Sequence, residues 1–549
     1  MPIINILGHY NVVIPVDSYS HYSWINMSKN LEDEFGSNTV TNSVKFQSIL
    51  KKALTYIEQD FNGELQKHKK FSFYLFVQNF HENSCEIFLK QCSGQDLKEL
   101  RHQFALTRRV LKIILEQACA VDYENCLNFS KDYYENRYKY LKTLENLMTI
   151  AKHGFEITDS IARSQMFPRS IGLVMKNSVL EVQEFRPFVE ISAFVANDMT
   201  KHNANVVIQQ NFDELKTLID EATNNNFDAI NHYVFHKESE IKNRNGVYPC
   251  QEFLDDFQSD DAIEKENNAY IFEGLTLTKE NKLSFIDSFL RSQDIDRILY
   301  KCLIKVKIDE KDYYVVGKGK WLECFYSLTY NAIPYNKFPK EWSKIAKISD
   351  HIKAKIKNND KVLEDRIEQM LRENEIPFER NIKTLEYERN KYIKLVQKGL
   401  GEIDYIFINS ENQTLYICEC KNNRIRFDSC SWRRDYSNFE ESYEGQLGRK
   451  LAWAKDNVEN IVKHFARKFA KIPNWEDLKV EGVFLINAPT LYMYDSPFMT
   501  LTLFNLKNLL EKKLEFEVIQ VTDIYSNEFE VSLPYYKNAD KQIARLLGE

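Results

Sequence analysis

The segment GEIDYIFINSENQTLYICECK, residues 401 to 421, constrains this chain more than any other stretch of it. Apolar runs at Ile403 to Ile408 and Leu415 to Cys418 flank the polar tetrad Ser410, Glu411, Asn412 and Gln413, which predicts a β-hairpin. With Glu411 and Asn412 as the central turn residues, Asp404 and Glu419 face each other across the ladder, their backbones about 5 Å apart. Side chains alternate along a strand, so Glu419 and Lys421 share a face while Cys420 turns away. Two carboxylates and one ammonium are thereby brought to one spot. A surface pair between Lys421 and Glu402, which also fall opposite each other, would be worth under ~1 kcal/mol. It leaves the facing acids unexplained.

Facing carboxylates repel unless a cation or a proton lies between them. Two of them, with water and a substrate phosphate, suit Mg²⁺, with Mn²⁺ able to substitute. A nearby lysine can orient or deprotonate the attacking water and neutralise charge on the phosphate. The chemistry implied is metal-assisted phosphodiester hydrolysis.

On these residues the chain resembles the PD-(D/E)xK nuclease superfamily, the restriction-endonuclease-like fold, over roughly Asp350 to Glu549. In that family a helix carrying a glutamate precedes the Asp strand, an E-x-K strand follows, and a helix with a glutamine comes next. Here Lys361 to Asn374 has apolar residues at Leu363, Ile367, Met370 and Leu371, the spacing of an amphipathic helix. Glu364 and Glu368 lie one turn apart on its flank; Glu364 better matches the family's glutamate, although a solvated helix face accounts for both equally well. Phe378 to Ile382 reads as the first strand, Tyr443 to Phe469 as a helical run opening with Gln446 and Lys450, Val480 to Ala488 as a buried strand, Leu501 to Lys513 as a helix and Phe516 to Ile524 as a final strand. The resemblance implies an αβββαβ core, with Asp404, Glu419, Lys421 and Glu364 catalytic. Metal ligands would be Asp404, Glu419, the Cys420 backbone carbonyl and Glu364, and Gln446 and Lys450 would contact nucleic acid or position the catalytic lysine. Ile403 stands where the family name has proline, a departure that leaves the metal ligands in place. Arg424, Arg426, Trp432, Arg433 and Arg434 follow the E-x-K strand and mix guanidinium with aromatic groups, which suits phosphate contact and base stacking.

A chain of 549 residues exceeds one core. The expected class is α/β, with the nuclease-like region at 350–549 preceded by a large, helix-rich mixed α+β part divided into 1–165 and 166–345. In that upstream part, Ile3 to Val16 and Phe71 to Gln78 read as strands, and Val44 to Phe61, Leu97 to Ala120 and Tyr133 to Ala162 as helices. Ile171 to Met199, with Phe188, Ile191 and Phe194, reads as a sheet or buried helix. Lys237 to Asn268 reads as an acidic linker or exposed loop, Leu299 to Val316 as a hairpin turning at Asp309 and Glu310, and Lys337 to Asn359 as a basic helix at the domain boundary. Gly317-Lys318-Gly319-Lys320 lacks the spacing of a phosphate-binding loop.

The net charge of -7 is no nucleic-acid signature, and Lys and Arg nearly balance Asp and Glu beyond residue 350, so binding would run through a local basic groove. Ten cysteines without a C-x-x-C pair or a zinc-type His spacing read as reduced, mostly buried thiols. The N-terminus has no basic region ahead of its apolar run and no stretch is long enough to span a bilayer, so a cytoplasmic protein without a membrane partner is expected.

The leading functional expectation is a Mg²⁺-dependent endonuclease or exonuclease, DNA favoured over RNA, serving by analogy as the effector of a bacterial anti-phage defence or restriction-type system, with residues 1–345 recognising a partner protein or a nucleic acid. The alternatives are an inactive nuclease-like fold that only binds nucleic acid or protein, and a nuclease directed at RNA.

Overall fold

The computed structural model describes residues 3–7, 10–15, 17–18, 20–36, 39–89, 96–124, 129–186, 192, 195, 205–223, 227–232, 245–257, 260–522 and 527–547. The expected Phe188, Ile191 and Phe194 group lies outside them, as do 237–244 of the expected linker. The protein is mixed α/β and forms two compact units where the sequence reading has three regions. One comprises 1–162, 172–183 and 204–355; the other comprises 163–171, 184–203 and 356–549.

In the first unit, strands Leu303–Ile308 and Lys311–Gly317 form the expected hairpin. Its turn residues Asp309 and Glu310 both have positive φ (44° and 65°), the geometry that matches the twist of a two-residue hairpin. Asn245–Pro249 adds to one side and Asp122–Tyr123 to the other. Two expectations are corrected here. Phe71 to Gln78 is no strand but the start of α1, Phe71–Leu89, because an eight-residue apolar run fits a buried helix as well as a buried strand, and Phe73, Tyr74, Phe76 and Val77 are all buried. The acidic stretch before Asn268 is no linker: Cys250–Asp255 and Ala262–Gly274 are helices, the latter capped by the Asp261 carboxylate, which accepts from the N–H groups of Ile263 and Glu264. Two further helices matter below, α2 (Asp96–Ala118) and α3 (Lys318–Asn331).

The boundary helix and the expected Lys361 to Asn374 helix are one element, α4, Ala346–Glu373, whose residues from Ile356 onward belong to the second unit. Five of the strands that follow form one sheet: β1 (Phe378–Ile382), β2 (Ile403–Asn409), β3 (Thr414–Lys421), β4 (Lys479–Ile486) and β5 (Met499–Thr502), hydrogen-bonded in that order. The first three are antiparallel and the last two join in parallel. Between β3 and β4 run α5 (Ser429–Asn438), a π-helical turn at Phe439–Tyr443, α6 (Glu444–Asp456) and α7 (Val458–Ala466). The run from Tyr443 to Phe469 is thus interrupted at Asn457. After β5 comes α8, Leu503–Leu510. Among the described residues the expected final strand does not join this sheet: Ile519–Thr522 pairs with Glu528–Val531, and Met499–Thr502 takes the edge instead.

Strand alternation divides the core in two. Tyr405, Phe407, Tyr416, Cys418, Val483 and Leu485 pack with Leu363, Ile367 and Leu371 of α4 and with Leu506 and Leu510 of α8. Ile406, Ile408, Leu415, Ile417, Phe484 and Ile486 face the other way, onto Leu447 and Ala454 of α6. At about 1.5–3 kcal/mol for each fully buried large apolar side chain, these two layers fix the register of the hairpin.

Candidate functional site

The β2–β3 ladder runs from Asn409 opposite Thr414 to Tyr405 opposite Cys418, so continuing it by one residue sets Asp404 beside Glu419. Asp404 begins β2 and Glu419 and Lys421 end β3; in an antiparallel pair these lie at the same end of the sheet. By alternation they share the face covered by α6.

Asp404 Oδ2 accepts the Cys420 backbone N–H at 2.6 Å. Burial first, and the Glu419 charge second, push the Asp404 carboxyl up from 3.8 to about 7, against the pull of that N–H, Lys450 and Lys421. Glu419 is 5% exposed and carries two ammonium partners: Lys421 Nζ at 2.8 Å from Oε1, and Lys450 Nζ on Oε2. Lys450 projects from the buried face of α6 with Leu447 and Ala454. That helix lies close to the sheet because β4 has Gly482 below it. A Cβ there would stand 3.2 Å from Phe498 and 3.3 Å from both Leu447 and Leu451. The expected nucleic-acid contact Lys450 is therefore buried against Glu419.

Lys421 has a second restraint that residue spacing does not signal, the ring of Tyr443, whose centroid lies 4.5 Å from Nζ. Tyr443 closes the π-helical turn, and an inserted residue of that kind re-aims one side chain without disturbing the helix that follows. Beyond Lys421, Asn423 and Asn487 exchange side-chain and backbone hydrogen bonds, which clamps the segment leaving β3 to the segment leaving β4.

The remaining expected residues are distributed around this centre. Glu364 sits on α4, over the opposite face, where Arg380 Nη2 approaches Oε2 at 3.4 Å and Tyr405 donates its hydroxyl to the Glu364 carbonyl. Glu368 is paired with Arg372 and with the same Arg380. The Cys420 side chain packs toward the α4 layer and burial holds its thiol high, so only its backbone is turned to the acids. Arg426 forms a two-pronged pair with buried Asp435, at 2.9 to 3.2 Å. Gln446 is half-buried and donates weakly to Ser442 at 3.4 Å. Arg424 and Arg433 are half-buried, Arg434 is exposed, and Trp432 packs on the core with its indole N–H buried and unpartnered among the described residues.

No family profile, curated protein or solved structure matches this chain. Among the described residues no helix is long and apolar enough to cross a membrane.

Proposed function

We propose that this protein is a divalent-metal phosphodiesterase of the PD-(D/E)xK type that cleaves nucleic acid, with DNA the favoured substrate. The observation that carries the reading is the convergence of Asp404, Glu419 and Lys421 at one end of the sheet, with half-buried Asp404 close enough to the Glu419 charge that its carboxyl resists ionisation. Glu419 has two ammonium partners, whereas Asp404 beside it accepts a backbone N–H and has no ion pair of its own among the described residues. That is the arrangement a Mg²⁺ or Mn²⁺ ion stabilises.

Asp404 and Glu419 would hold the ion, with the Cys420 carbonyl beside them. When bound, such an ion polarises a phosphate oxygen and acidifies water. Lys421, its side chain 19% exposed and held between Glu419 and Tyr443, is placed to bind a phosphate oxygen or orient water. Lys450 fixes the rotamer of Glu419 from behind. Arg433 and Arg434, beside the site in sequence and not buried, are the open cations for phosphate contact. The first helix of the proposed family's core corresponds to α4, and β1–β2–β3–α6–β4 supplies the rest of the αβββαβ order. With a larger first unit that bears no nuclease motif, the chain fits an effector whose cutting unit is directed by a recognition unit, as in anti-phage or restriction-type systems.

The test is incubation of the full chain with supercoiled plasmid, linear duplex, single-stranded DNA and RNA, each with Mg²⁺, Mn²⁺ or EDTA. Metal-dependent cleavage of DNA supports the proposal, and cleavage of RNA alone reassigns the substrate. Binding without cleavage in any metal leaves the inactive docking fold in its place.

A further inference from the structure

Buried within the first unit is a polar cluster that the phosphodiesterase reading does not use. On α1, Gln78, His81, Glu82 and Cys85 lie on one face, all at most 1% exposed. Glu82 acts as a helix cap, its carboxylate accepting the N–H of Gly319 at 2.7 Å and of Lys320 at 3.2 Å at the start of α3. The Gly317-Lys318-Gly319-Lys320 motif is explained by this cap, since a Cβ on Gly317 would stand 2.0 Å from Glu82 Cδ. Glu323, one turn further along α3, divides its oxygens. Oε1 takes Lys112 Nζ at 2.6 Å and Arg108 Nε at 3.4 Å. Oε2 points instead at Cys85 Sγ, 3.3 Å away, and His81 Nε2, 3.9 Å away.

We propose that His81 Nε2, Cys85 Sγ and Glu323 Oε2 are the ligands of a divalent transition-metal ion, zinc foremost. The third edge of this triangle, Cys85 Sγ to His81 Nε2, is 3.7 Å. Zinc bonds of about 2.0–2.3 Å at tetrahedral angles place sulfur about 3.5 Å from an N or O donor and N about 3.3 Å from O, so the two edges at Cys85 lie within a few tenths of an ångström of those required and the His81–Glu323 edge must close by about half an ångström. As hydrogen bonds the contacts to His81 are long. A wholly buried imidazole has only a sulfur and a distant carboxylate for partners among the described residues, a poor arrangement without an ion and a good one with it. The Cys85 thiol would lose its proton to solvent as the S–metal bond forms. Lys112 and Arg108 then act on the far oxygen, orienting the carboxylate as outer partners of metal-bound carboxylates do.

The rival is an ion-pair network around Glu323 that is complete in itself. To separate the two, the full chain is prepared with Asp404→Asn and Glu419→Gln, so that metal at the second unit does not contribute. Metal content is measured by mass spectrometry, and the same protein is produced in cobalt-supplemented medium for absorption spectroscopy. Stoichiometric zinc is expected, together with a thiolate-to-cobalt charge-transfer band and intense tetrahedral visible bands; Cys85→Ser and His81→Gln should lose them, while Cys430→Ser keeps them. The cobalt spectrum of the parent chain decides the matter even if a variant fails to fold. Metal-free parent protein without a cobalt spectrum overturns the proposal in favour of the ion network, and zinc retained by folded Cys85→Ser and His81→Gln overturns the assignment of ligands.

Discussion

Replacing Asp404 by asparagine in the absence of metal should stabilise this protein. An acid whose folded value is raised keeps a proton in the folded state that the unfolded chain releases. Between about pH 4 and pH 7 the folded state therefore binds more protons, and stability falls as pH rises through that window. From 3.8 to about 7 is about three units, which at about 1.4 kcal/mol each sets an upper bound near 4 kcal/mol at pH 8. Because the pair is coupled to Glu419, about 1–3 kcal/mol is the working expectation. Asparagine keeps an oxygen to accept the Cys420 N–H, so the substitution removes charge and little else. Thermal unfolding in EDTA, followed by circular dichroism at pH 4 and pH 8, should show the variant melting higher at pH 8 by several degrees, about 2–4 °C per kcal/mol for a domain of this size, with the gap closing at pH 4. Added Mg²⁺ should reverse the order, raising only the wild type. Equal melting at both pH values, or a less stable variant at pH 8, would refute the argument that Asp404 sits beside the Glu419 charge without a cation of its own.

Lys421→Ala should melt like wild type yet cleave about 10²-fold more slowly, as measured by plasmid relaxation. Tyr443→Leu should lose the cation–π restraint on Lys421, about 0.5–2 kcal/mol, and slow cleavage about 3- to 30-fold, while Tyr443→Phe stays near wild type. Lys450→Met leaves Glu419 buried with one ammonium instead of two. It should lower the metal-free melting temperature by an amount equivalent to about 3 kcal/mol, partly restored by Mg²⁺. In the first unit, Gly317→Ala forces a methyl group into the Glu82 carboxylate and should cost about 1–3 kcal/mol in a denaturant titration.

The hairpin is legible in the sequence because its turn chemistry and its two apolar faces agree on a single register, and the structure has that register from Tyr405 to Asn409. The strand at Val480 is legible from its unbroken apolar run Val483 to Ile486. Phe71 to Gln78 is not, since a short apolar run has no period to distinguish its two readings. The edge strand Met499–Thr502 is only four residues long and merges in the sequence with the helix that follows it. Lys450 shows a different limit. Its position on α6 is visible, but whether an ammonium points to solvent or to a carboxylate depends on how closely the helix approaches the sheet, and Gly482, 32 residues further on, decides that. His81, Cys85 and Glu323 are invisible as a group because helix packing joins residues 238 positions apart.

The two-residue alternation of β2 and β3 also limits which changes in chain length this protein can accept. Glu411 and Asn412 are exposed at the tip of the turn, where an insertion would leave the ladder intact. Between Tyr405 and Ile408, or between Leu415 and Cys418, deletion of one residue would rotate Asp404 or Glu419 to the α4 side of the sheet while exchanging the apolar layers. A deletion library across residues 401 to 421 should therefore split sharply into a permissive tip and two intolerant arms, marking the reading frame of the site within the strands themselves.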